Sequence, residues 1–159
     1  MQQFLVLLPY QQLYNCSSNT ITNTHNMTSN GKGSLIVVGT GIQAARHASI
    51  ETVSYIENSN KVLYLVSDYV SELWIKKNNS AESLMGFYNE GEPRINAYLS
   101  MVDHILKFVK EGLSVCVIFY GHPGVFVFPS HEVIKQAKEI GILLVCYLVF
   151  QQKIVFLQI

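Results

Sequence analysis

Short apolar runs alternate along the chain with stretches in which apolar residues recur every three or four positions. Ser34–Val38 (SLIVV) is rich in branched residues and predicts a buried strand, ended by the Gly39-Thr40-Gly41 turn. From Ser49 to Glu57, Ile50, Val53 and Ile56 recur at helical spacing. Lys61–Val66 (KVLYLV) predicts a second strand, and Asp68 is placed to cap a helix over Val70, Leu73, Trp74 and Ile75. Glu82–Tyr88 fits neither period, and NEGEP at 89–93 breaks it off. Pro93 suits the first turn of a long helix with a predicted apolar face of Ile95, Leu99, Val102, Leu106 and Val109, ended by Gly112. Val115–Tyr120 predicts a third strand, and GHPGVFVFPS a loop. Ser130 is expected to cap a helix from His131 to Glu139, with Gly141 ending it. The nine apolar residues Ile142–Phe150 are too few to span a membrane and predict a fourth, buried strand.

Strands alternating with helices predict an α/β fold with a mainly parallel sheet flanked by helices. Ligands of such sheets sit beyond the carboxyl ends of the strands. Two loops fall there: GTG at 39–41 and YGHPGVF at 120–126. No internal repeat is present.

Composition narrows the class. The 159 residues are 49% hydrophobic and 14% charged, against about 25% charged in average chains. That excludes disorder throughout and suits one domain. Eleven basic and eleven acidic residues cancel, which argues against a nucleic-acid binder working by bulk charge. All the acids lie between Glu51 and Glu139, leaving two almost uncharged ends. At the first end, Phe4–Leu8 is short and has no basic lead-in, so a secretory signal is not expected. Residues 1–30 read as a flexible leader, or as an artefact of the gene model with translation starting at Met27. Cys16, Cys116 and Cys146 form neither a disulfide framework nor a metal quartet, and a reducing, cytoplasmic setting is the simpler expectation. No second histidine lies at metal spacing from His122, so no metal site is expected.

The loops and one helix carry the candidate chemistry. GTG lacks the third glycine of a dinucleotide fingerprint and the Gly-Lys-Ser/Thr of a phosphate loop, so alone it reads as a turn. In the second loop, two glycines and Pro123 fix a sharp bend after a buried strand, while Val125 and Phe126 offer apolar contact. That mixture suits a flat heterocycle with a polar tail; the alternative is a plain turn with His122 facing solvent. Arg94 and Tyr98 share a helix face, and Tyr88 precedes them across the NEGEP break. Arginine beside a phenol can lower its pKa or stabilise an oxyanion. A surface arginine stacked on tyrosine would be functionally empty.

SLIVVGTGI at 34–42, SYIENSNKVLYLV at 54–66, FYNEGEPRINAY at 87–98 and FYGHPGVFVFPSHEVIKQAKEIG at 119–141 resemble the tetrapyrrole methylase superfamily (class III SAM-dependent methyltransferases). Within it they are most similar to the borosin-type peptide α-N-methyltransferases, from about Met27 to Gly141. His122 stands where ordinary tetrapyrrole methylases usually carry an acid, which points to the peptide-modifying branch. The resemblance implies S-adenosyl-L-methionine (SAM) as cofactor, backbone amides of a precursor peptide as substrate, a cofactor cleft between two α/β domains, and a homodimer. It implies catalytic roles for Arg94, Tyr98 and Tyr120, with Tyr88 as a further active-site tyrosine, and cofactor contacts from Tyr120, Gly121, His122, Gly124, Val125 and Phe126. Met85 replaces one family tyrosine.

The family pattern continues beyond Gly141 into a second domain, whereas residues 142–159 match none of it. The expectation is therefore an N-terminal domain at 31–141 followed by an apolar, divergent tail, with activity in question for a truncated chain. The alternatives are a small-molecule methylase acting on a tetrapyrrole or corrin precursor, and a non-catalytic α/β remnant.

Overall fold

A computed structural model describes residues 33–41, 47–77, 81–121 and 127–147. Five strands are described: β1 (Ser34–Gly39), β2 (Lys61–Leu65), β3 (Ala81–Ser83), β4 (Ser114–Phe119) and β5 (Leu143–Tyr147). They form one sheet in the order β3-β2-β4-β1-β5. Every pairing is parallel. Among the described residues four α-helices accompany them: α1 (Ile50–Asn58), α2 (Tyr69–Ile75), α3 (Arg94–Lys110) and α4 (Phe128–Glu139). The fold class expected from the alternation is the one observed.

Alternate residues along each interior strand enter different cores. Leu35, Val37, Leu63, Val115, Val117 and Phe119 pack with Met101, Ile105 and Leu106 of α3 and with Val133 and Ala137 of α4. Ile36, Val38, Val62, Tyr64, Cys116 and Ile118 form the opposite layer with Ile56 of α1 and Ile75 of α2. A strand covered on both faces has no solvent side, which explains its unbroken apolar run. Burial pushes the Cys116 thiol up to about 12, with a hydrogen bond to Ser59 pulling weakly the other way. The thiolate, which carries cysteine reactivity, is therefore scarce at this position.

Local signals set several boundaries. The Ser49 Oγ accepts from the Thr52 N–H at 3.2 Å and caps α1. Asp68 Oδ1 accepts from the Ser71 N–H at 2.7 Å and caps α2, as its position predicts. The Asp68 carboxyl is held below its usual range by those Ser71 hydrogen bonds.

Four expectations need correction. The buried face of α3 is Ala97, Met101, Val102, Ile105, Leu106 and Val109, while Ile95 and Leu99 are both 43% exposed. Small Ala97 and flexible Met101 give a weaker hydrophobic signal than Ile95 and Leu99, each two positions before them. In α1, Thr52 and Ile56 face inward and Ile50 is exposed. Helix α4 starts at Phe128 without a side-chain cap, so Ser130 is not the cap but a buried residue of the first turn. The final strand is an edge strand with Leu143 exposed, not a buried one. The stretch of no clear period resolves into β3 and a 3-10 turn at Leu84–Phe87. The expected leader, and the end of the apolar run at 148–159, lie outside the described residues.

Truncating Ile105, which is fully buried, to alanine is expected to cost about 2–5 kcal/mol, whereas Leu99→Ala stays within about 0.5 kcal/mol. Urea denaturation midpoints check this; equal losses would mean that Leu99 is covered.

Candidate active site

Parallel register brings three strand ends to one place. Phe119 lies opposite Gly39 on one side and Leu65 on the other. The Thr40 N–H donates to the Phe119 carbonyl at 3.0 Å, and the Tyr120 N–H to the Leu65 carbonyl at 3.1 Å. One residue further on, Gly41 and Gly121 exchange N–H···O=C bonds, each 3.1 Å long. Both glycines have positive φ, 66° and 72°, which an L side chain adopts only with strain. At Gly41 a Cβ would also meet the His47 Cβ at 2.7 Å. The two loops singled out in the sequence are thus knitted together by their backbones.

Beyond the ends of β2 and β4 lies a cleft of about 600 Å³. Arg94, Tyr98, Tyr88 and Tyr120 all line it, together with Met85. The Arg94 guanidinium carbon lies 5.8 Å from the centroid of the Tyr88 ring. Tyr88 meets Tyr98 edge-on, with centroids 6.1 Å apart, and Tyr98 stacks on Phe128 at 6.0 Å. Gly121 follows Tyr120 in the chain but does not line the cleft. His122, Gly124, Val125 and Phe126 lie outside the described residues.

The first turns of α3 and α4 both line the cleft, and neither carries a side-chain cap or an acid. Helix N-termini are electropositive and favour an anion. A cation in a first helical turn is locally unfavourable, yet Arg94 occupies that position in α3. The Tyr88 ring compensates it through a cation–π contact. Glu90 and Glu92 also line the cleft.

The phenol does not behave as the arginine alone would suggest. Burial, reinforced by the neighbouring Tyr98 hydroxyl, pushes the Tyr88 pKa above its usual value, and Arg94 pulls it down without reversing the outcome. Tyr88 is therefore a neutral phenol at neutral pH, able to donate a hydrogen bond. Phe128, Leu65, Val66 and the pair Glu90 and Glu92 were missed in the sequence. Only the adjacency of β2 to β4, which no local pattern shows, brings Leu65 and Val66 here. Among the described residues no group of His, Cys, Asp and Glu could hold a metal ion.

The fold and this edge-of-sheet cleft define a class: an α/β domain with the tetrapyrrole methylase fold. A cobalamin biosynthetic enzyme, cobalt-precorrin-4 methyltransferase, superposes with a TM-score of 0.58 at 18% identity, over 78% of this chain and 49% of its own. That likeness concerns the fold. Sequence comparison is more particular. A methyltransferase and type I borosin cyclic peptide precursor of Gymnopilus junonius is 43% identical over 124 residues, 77% of this chain and 29% of its own length. The methyltransferase and dendrothelin A precursor of Dendrothele bispora is 44% identical over 110 residues, 69% of this chain and 26% of its own. The chain is a homologue of the borosin-type methyltransferases, and it spans less than a third of the length of these curated relatives. No family model matches it.

Spectrophotometric titration should show Tyr88 ionising later than a free phenol at about 10. Tyr88→Phe removes that late step, and Arg94→Ala delays it further. Because the folded value is raised, the associated stability is complete below about pH 10 and is lost as pH climbs through the folded value.

Proposed function

We propose that this chain supplies one wall of a SAM-dependent methyltransferase site that modifies backbone amide nitrogens of a precursor peptide. The observation that carries this reading is the convergence of Arg94, Tyr88, Tyr98 and Tyr120 in one cleft at the carboxyl edge of the sheet. Relatives named as methyltransferases and cyclic peptide precursors support the substrate class.

The cleft fits the cofactor in size and chemistry. A volume of about 600 Å³ lies within the usual range of small-molecule sites, about 300–1,000 Å³. Leu65, Val66, Phe119 and Val127 offer apolar contact, and the aromatic rings can face a cationic centre. Tyr120 and Gly121, with His122, Gly124, Val125 and Phe126, are the residues assigned to hold it. When bound, SAM supplies an electrophilic methyl group.

The chain's own residues have a different task. An amide nitrogen is a poor nucleophile until its proton leaves, and the negative charge then gathers on the amide oxygen. The Arg94 guanidinium, the Tyr88 and Tyr98 phenols and two electropositive helix ends surround the space where that oxygen can sit. Charge-assisted hydrogen bonds from Arg94 would lower the cost of deprotonation. As a neutral phenol, Tyr88 serves as donor to the oxygen. Tyr120, on the β4 side, bounds the approach to the nitrogen.

A homodimer, a cytoplasmic setting, a module spanning 31–141 and completion of the cleft by a further domain belong to this proposal. The fold likeness to a cobalamin biosynthetic enzyme favours a second reading, methylation of a tetrapyrrole or corrin precursor. Among the described residues no helix is long and apolar enough to cross a membrane.

Isothermal titration of SAM into this chain should give saturable heat. Tyr120→Ala is expected to weaken binding on the order of tenfold, about 1.4 kcal/mol. Arg94→Ala should leave the affinity nearly unchanged and act on turnover. A folded sample that releases no heat overturns donor binding and leaves a non-catalytic module. Addition of single methyl masses to a peptide, rather than to a tetrapyrrole, distinguishes the two substrates.

A further inference from the structure

The segment that carries Met85 and Tyr88 is held by surprisingly little sheet. Strand β3 pairs with β2 over only three residues, at the sheet edge. After it, the Ser83 Oγ accepts from the Met85 N–H at 3.2 Å, Leu84 is fully buried, and the Tyr88 N–H donates to the Met85 carbonyl at 3.1 Å. Further contacts fix the segment, and two of them converge on one imidazole. His104, on α3, places Nε2 2.9 Å from Glu82 Oε1. Its ring lies 5.1 Å from Phe87 and 5.0 Å from Phe108. The other Glu82 oxygen meets the Lys61 ammonium, which also sits 4.9 Å from the Phe108 ring centroid.

Electrostatics set the direction of this bond. Burial alone would raise the Glu82 pKa, but hydrogen bonds from Lys61 and His104 outweigh it and hold the carboxyl below its usual range. Glu82 is thus an acceptor, and the proton of the shared bond lies on His104 Nε2. The imidazole grips the segment at Glu82 and again at Phe87, the residue before Tyr88.

We infer that His104 is a positioning residue: through Glu82 and Phe87 it fixes the depth at which Met85 and Tyr88 enter the cleft. Neither Glu82 nor His104 lines the cleft, so any effect passes through Tyr88. The catalytic meaning of this placement rests on the methyl-transfer reading above, whereas the placement itself can be tested without any donor.

The test uses the whole chain with 13C-labelled tyrosine rings, assigned by Tyr→Phe substitution. His104→Ala is expected to shift the ring resonances of Tyr88 and Tyr98, which touch each other, and to leave Tyr55, on α1 in the opposite core layer, unmoved. Glu82→Gln retains an acceptor oxygen for His104 and should preserve the parent positions, while Glu82→Ala should reproduce the shift. If His104→Ala does not fold, the Glu82 pair of variants carries the comparison. Unchanged Tyr88 resonances in the alanine variants would overturn the inference, as would equal shifts at Tyr55. Movement of Tyr88 in a chain that binds no SAM would uphold the positioning and reject the methyl-transfer reading.

Discussion

The arrangement depends on the pairing of β4 with both of its neighbours. Phe119 is in register with Gly39 and with Leu65, so three parallel strands end at one level. A chain leaving a parallel sheet at that level cannot turn back into a hairpin; it has to cross over. The exits therefore gather at one edge, where the Gly41–Gly121 backbone bonds tie two of them together. A net contribution of about 1 kcal/mol per hydrogen bond is modest, but leaving those buried groups unpaired would cost more. The cleft is a consequence of strand register rather than of any single side chain.

Competing electrostatic terms meet in that cleft. Two uncapped helix ends and Arg94 bring positive charge to its lining, and Glu90 and Glu92 bring negative charge to the same lining. Desolvation acts on the same space and prevails at Tyr88, whose phenol stays protonated despite the neighbouring guanidinium. A lining of this kind holds hydrogen-bond donors ready for charge that develops during reaction. The first-turn cation of α3, which violates the helix-dipole preference, is also the residue over the Tyr88 ring. Departures from local rules concentrate where function is expected.

Much of this was legible in the sequence, and the remainder was not for physical reasons. The doubly covered strands announced themselves as unbroken apolar runs, and helical spacing put Arg94 and Tyr98 on one face, whereas only the family resemblance grouped Tyr120 with them. The true face of α3 did not, because Ala97 and Met101 compete poorly with Ile95 and Leu99 on a hydrophobicity scale, although tertiary packing selects them. The capping role assigned to Ser130 failed because Pro129 already starts the helix in its first turn, and the hydroxyl is buried without a partner. Phe128 and Leu65 join the cleft only through strand order, a long-range property with no local signature.

The chain is similar to part of the borosin-type methyltransferases and shares the fold of a cobalamin biosynthetic enzyme. The central claim is that this edge, and no other face, receives the cofactor. Backbone amide shift mapping with S-adenosylhomocysteine as probe tests it most directly. Perturbations are expected to cluster at 65–67, 85–98, 119–120 and 127–129, around the cleft. Perturbations gathered instead on α1 and α2, across the sheet, would contradict it.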